Sequence, residues 1–224
     1  MHTFTLGGKT VSIFSSSKPG APVIYLNTFS GEGEQIWQAA QAAGFPPFTL
    51  VAVSDLDWNH DMAPWDSPPV FKNAPPCTGG ANDYLQLFTT EIIPLAEKEL
   101  PEAAKWRGIA GYSLAGLFAV YAIYQTDLFS RVGSMSGSLW FPGIKDYIFS
   151  HEPKRCPDCL YFSLGDRESK TRNPFLQNVQ QNTEEIRTFY QNQGIDTVFQ
   201  LNHGNHYNQA TERTAAGIGW LLNR

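Results

Sequence analysis

The sequence predicts an α/β fold: a mainly parallel sheet with helices on both faces and an antiparallel hairpin at its N-terminal edge. Three observations carry that reading. Short apolar or β-branched runs alternate with helical patterns along most of the chain, the order that builds parallel sheets covered on both sides. Residues 3–6 and 10–14 read as strands joined by Gly7-Gly8, a tight hairpin turn. Residues 107–125, RGIAGYSLAGLFAVYAIYQ, pass from a short apolar run through a Gly-rich turn into a helix that is apolar nearly all round. At 224 residues, without repeats or low-complexity segments, residues 1–224 are expected to form one domain.

The elements follow in order. Residues 23–26 (VIYL) form a buried, parallel-type strand, and residues 27–31 a loop that leads into a helix over 34–43, stopped by Gly44. Thr49–Ser54 is the next strand. Residues 55–81 make a long irregular loop rich in Pro and Gly, and loops of that length inside a compact domain are usually functional. Its rings Trp58, Trp65 and Phe71 are candidate walls of an acyl or aromatic pocket, with plain packing as the alternative. Asn82 is expected to cap a helix running to about residue 100, kinked at Pro94. Further strands fall at 108–110, 131–135, 160–164 and 197–201. A helix includes residues 183–191 and ends at Gly194, and a closing helix covers 209–222.

Gly111-Tyr112-Ser113-Leu114-Ala115 stands between a strand and a buried helix, the context of a nucleophile elbow. A serine presented above a sheet needs a strained backbone, so the residues two before and two after it must be small; Gly111 and Ala115 are. The elbow gives the Leu114 N–H a second role as an oxyanion donor at the helix N-terminus. A second donor is expected from the loop after the first parallel strand, at Phe29 in preference to Thr28.

A serine nucleophile needs a base, and in hydrolases of this architecture the histidine follows the last strand. Of His2, His60, His151, His203 and His206, the last two lie in that loop. His206 is favoured because Gly204 and Asn205 free the backbone to swing its ring over the sheet. His203 is expected at the surface or supporting the site from behind, and His60 in a solvated loop or against substrate. Two carboxylates follow the strand ending at Gly165. Glu168, three residues on, has turned back toward the site, whereas Asp166 is expected to point along the strand or pair with Arg167; Glu168 is preferred and Asp166 stays open.

With these residues placed, the chain resembles the esterase D / putative esterase family of α/β-hydrolases, and among them the siderophore-esterase-like members. VIYLNTFSGEGEQIW, GYSLAGLFAVYA, VGSMSGSLWFPG, YFSLGDRE and HGNHY carry the match and span nearly the whole chain. The resemblance implies an α/β-hydrolase fold with Ser113 as nucleophile, His206 as base and Glu168 as acid, and it also admits a Ser–His pair without the acid. Trp140, in the Ser-Gly-Ser-Leu-Trp segment, is implied to line the substrate site. The implied reaction is hydrolysis of a small-molecule carboxylic ester through an acyl-enzyme, without a cofactor. Acyl transfer on the same residues and an inactive binding scaffold are the alternatives.

Composition narrows the partners. A net charge of −5 argues against nucleic acid or an anionic membrane. No apolar run is long enough to span a bilayer, and the N-terminus lacks a signal-peptide pattern, so a cytoplasmic location is expected. Cys156-Pro157-Asp158-Cys159 has redox or zinc-half-site spacing, but no second ligand pair lies nearby and the motif precedes a strand; it reads as a reduced loop, and no metal is expected there or at Asp55 and Asp57.

Overall fold

The structure is a computed structural model that describes residues 1–70 and 72–224; Phe71, a candidate pocket wall, lies outside the described residues. The chain opens with β1 (His2–Leu6) and β2 (Lys9–Phe14), then β3 (Val23–Asn27), α1 (Gly33–Ala42) and β4 (Thr49–Ser54). The 55–81 stretch contains a one-turn helix α2 (Trp58–Asp61) and a two-stranded ribbon, β5 (Asp66–Ser67) with β6 (Cys77–Thr78). Next come α3 (Ala81–Leu87), α4 (Ile93–Lys98), β7 (Arg107–Tyr112), α5 (Leu114–Ala122), β8 (Arg131–Met135) and α6 (Ile144–Ser150). The chain closes with β9 (Cys159–Gly165), α7 (Val179–Asn192), β10 (Asp196–Asn202) and α8 (Ala210–Leu222).

Among the described residues, eight strands form one sheet in the order β1-β2-β4-β3-β7-β8-β9-β10. Pairing is antiparallel from β1 through β2 to β4 and parallel from there to β10. Gly7 and Gly8 both sit at positive φ, 57° and 76°, as the two central residues of a tight hairpin turn do. Strand residues alternate between two cores with the period of the pleat. Tyr25, Ile109, Val132 and Phe162 face a core completed by α3, α4, α5, α6 and α7. Leu26, Ala110, Met135 and Tyr161 face the other, completed by α1 and α8. The expected mainly parallel sheet, covered on both faces and edged by a hairpin, is the fold observed.

One local expectation is corrected, and another takes a specific form. Asn82 is not a helix cap: α3 starts at Ala81 behind Gly80, and the Asn82 amide oxygen instead accepts from the Tyr121 hydroxyl at 2.9 Å. The helical run around Pro94 is not uniform. Residues Phe88–Ile92 form a wider π-type turn before α4, where Pro94 stands in the first turn. Proline has no N–H to return to the carbonyl four residues back, so the preceding turn absorbs the mismatch by widening. The 55–81 loop is tied down as well, since the Lys9 ammonium pairs with the buried Asp61 carboxylate, which also accepts the Asp57 N–H.

Candidate active site

The parallel strands β3, β7, β8, β9 and β10 all end on one edge of the sheet, and the candidate site residues follow those ends. At the end of β7, Ser113 has φ 60° and ψ −124°, a conformation that costs on the order of 1–3 kcal/mol for a side chain with a Cβ. The fold over-determines it. The Ser113 N–H donates to Met135 O, and its carbonyl accepts from the N–H groups of Gly116, Leu117 and Ser138. All nine residues of α5 are buried behind it, which offsets the local strain. A Cβ at Gly111 would run into the backbone of Ala115, so the elbow closes only over glycine there.

His206 reaches the serine from the loop after β10. The Ser113 Oγ stands 3.0 Å from His206 Nε2, and His206 Nδ1 stands 2.8 Å from Glu168 Oε2. Glu168 arrives by a tight turn in which its N–H donates to Gly165 O. Its other oxygen accepts the Gly165 N–H at 2.6 Å, the Ser136 hydroxyl at 2.7 Å and the Arg213 guanidinium at 3.4 Å. Burial by itself would raise the Glu168 carboxyl. The His206 hydrogen bond and charge, the Gly165 N–H and the Ser136 hydroxyl outweigh it and hold the group below its ordinary value.

Asp166 stands elsewhere. Its carboxylate accepts the Gly204 N–H at 2.9 Å and lies 3.4 Å from the exposed ring of His203, not on Arg167 as expected. The Gly204 N–H lowers its carboxyl. Asp166 and His203 thus brace the base of the loop, and Glu168 alone of the two acids meets His206.

The two proposed backbone donors differ from their alternative in one respect. The Thr28 N–H is already engaged by Val53 O at 2.8 Å. Among the described residues the N–H groups of Phe29 and Leu114 have no acceptor. Two clefts meet at Ser113, one of about 350 Å³ on the Phe29 side and one of about 280 Å³ on the Trp140 side. Trp58 lines both and packs edge-on against Phe29, with ring centres 5.1 Å apart. Trp65 lines neither; its ring packs on Tyr121, Phe141 and Tyr147 and its Nε1 donates to Pro142 O. His60 is half-buried and lines neither cleft: its Nδ1 meets Thr78 and its ring packs over Gly80.

Sequence reasoning missed two residues that hold the loop. Arg213 on α8 is 3% exposed, and its guanidinium donates to His203 O and Asn205 O as well as to Glu168. Tyr112 donates its hydroxyl to the His206 carbonyl at 2.6 Å. A charged residue inside the buried stripe of a closing helix, among Thr214, Gly217 and Ile218, is the signal that marks Arg213. The Cys156/Cys159 pair is split, with Cys156 exposed and Cys159 buried. Burial pushes the Cys159 thiol up to about 11, which leaves almost no thiolate for exchange. Among the described residues no group of three or more His, Cys, Asp or Glu could hold a metal ion, and no helix is long and apolar enough to cross a membrane.

The family model described as "Esterase: Putative esterase" matches residues 20–211. The chain belongs to this esterase family. As a member it is a carboxylic ester hydrolase. A relative from Bacillus subtilis (strain 168), "Uncharacterized protein YbbA", is 23% identical over 189 residues, covering 81% of this chain and 76% of its own. Among solved structures, an IroE-like serine hydrolase from Shewanella oneidensis superposes with a TM-score of 0.78 at 17% identity, covering 96% of this esterase and 76% of that chain. The siderophore hydrolase EstB from Aspergillus nidulans gives 0.76 at 16%, covering 98% and 94%. At such identities the likeness shows the fold, an α/β-hydrolase architecture.

Proposed function

We propose that this esterase cleaves small-molecule carboxylic esters with a Ser113–His206–Glu168 triad through an acyl-enzyme. The observation that carries the reading is the unbroken line from Ser113 Oγ through both nitrogens of His206 to a buried carboxylate, in links of 3.0 and 2.8 Å. In this reading the Ser113 hydroxyl passes its proton to Nε2 as Oγ attacks the ester carbonyl. The bond from carbonyl carbon to Oγ forms, and the carbonyl electron pair moves onto oxygen. The imidazolium is steadied by Glu168 and then protonates the departing alcohol. Water, deprotonated by the same ring, releases the acid and restores Ser113.

In this reading the N–H groups of Leu114 and Phe29, which have no backbone acceptor, receive the oxyanion, each worth about 3 kcal/mol of barrier. The decisive experiment is Ser113→Ala, followed by a fluorophosphonate probe and an activated ester. Labelling and hydrolysis should both vanish while the circular dichroism spectrum is kept. Labelling that persists would move the nucleophile to Ser136 or Ser138, and a wild-type protein that never labels would leave a binding scaffold.

A further inference from the structure

We infer that the substrate is an ester uncharged on both sides of the scissile bond, with a sizeable apolar group on each; this rests on the serine-esterase reading above. The two clefts that meet at Ser113 are alike in size, about 350 and 280 Å³, so neither side is restricted to a small group such as acetyl or methyl. Their walls are mainly apolar. Leu26, Ile36 and Phe29 line the first, and Val70, Trp140 and Leu176 the second.

Charge decides the class. Among the described residues no Lys or Arg lines either cleft. Lys72 and Arg167 are exposed and lie outside both linings, and Arg213 is buried behind Glu168. The acidic residues of the linings are Glu32 in the first cleft and Glu168 in the second. The Glu32 carboxylate accepts from the N–H and hydroxyl of Ser30 and leaves the first cleft with a negative charge, whereas Glu168 is already paired with Arg213 and His206. An anionic acyl or alcohol group entering either cleft gives up water and gains no free cation, and in the first it also faces the Glu32 carboxylate.

A ferric tris-catecholate, with several negative charges, is the opposite kind of ligand.

The test compares kcat/KM within two pairs of esters that differ by one charge. 4-Nitrophenyl butyrate against 4-nitrophenyl hemisuccinate replaces a terminal methyl by a carboxylate on the acyl side. 1-Naphthyl butyrate against its 4-sulfonate places the charge on the alcohol side. The neutral member should be faster in both pairs by about 10- to 100-fold, the factor expected for an anion desolvated without a partner. Glu32→Gln, which removes the one charge of the first cleft that does not serve His206, should narrow one of the two gaps several-fold. A gap below tenfold in either pair, or turnover of a ferric catecholate ester, overturns the inference. Fluorophosphonate labelling of Ser113 separates the two levels. If the wild type labels and the gaps are small, only the substrate class falls. If it does not label, the serine-esterase reading falls and takes this inference with it.

Discussion

Replacing Glu168 by glutamine perturbs one charge and almost no volume, and the structure sets its expected size. Four donors converge on this carboxylate: His206 on one oxygen, and Gly165, Ser136 and Arg213 on the other. An amide has one acceptor oxygen. Whichever way it turns, its NH2 faces a donor, either His206 Nδ1–H or the Gly165 and Ser136 pair. A charge-assisted hydrogen bond worth roughly 1.5–3 kcal/mol is lost, and the imidazolium formed during the reaction loses its counter-charge. Together these amount to about 3–5 kcal/mol, so kcat should fall about 10²- to 10⁴-fold, with KM for a neutral ester little changed. Asp166→Asn should stay within about threefold, because an asparagine oxygen still accepts the Gly204 N–H. A second readout comes from acid. The folded-state carboxyl of Glu168 is lowered, so its contribution to stability is complete above the ordinary carboxylate pKa and is lost as pH falls through the folded value. Urea midpoints should therefore drop less between pH 7 and about pH 3 in Glu168→Gln than in wild type. Stopped-flow turnover of an activated ester decides the kinetic part. A dominant loss in Asp166→Asn would reverse the assignment, and small, equal losses in both variants would leave a Ser–His pair without an acid.

Gly111→Ala forces a Cβ against the Ala115 backbone and should cost about 1–3 kcal/mol, seen as a lower Tm, with activity reduced more than stability because Ser113 is displaced. Arg213→Met keeps the length of the side chain but leaves Glu168 and the carbonyls of His203 and Asn205 short of a donor. About 3 kcal/mol of stability should go, and kcat should fall with KM held. Chelators and mild reductants should leave the initial rate unchanged, since Ser–His chemistry uses neither a metal nor a disulfide; a loss restored by zinc would return attention to Cys156 and Cys159.

The elbow is legible in the sequence because its geometry is a steric demand, and Gly111, Ser113 and Ala115 meet it within five residues. The histidine is legible from its place after the last strand. Glu168 needs one step more, the turn back to Gly165, and the Phe29 donor is separable from Thr28 only once Val53 is known to occupy the Thr28 N–H. Long-range partners leave a fainter trace. Arg213 lies 45 residues from Glu168 and 101 from Tyr112, and nothing local announces which groups it will join. Pro94 shows the same limit: the sequence flags a disturbed helix, and the structure gives the disturbance the form of a π-type turn over Phe88–Ile92.

The histidine hangs from β10, the last strand of the sheet, which is paired on one side only. Edge strands and the loops that follow them open locally at lower free energy than central strands, so their amides exchange with solvent first. Ser113 and Glu168 rise from β7 and β9, each flanked on both sides, and the amides of those strands should exchange later. The proposed triad is therefore built from parts of unequal endurance. On warming, the base should drift from the nucleophile while the fold still gives its native spectrum, and heat inactivation at that stage should reverse on cooling.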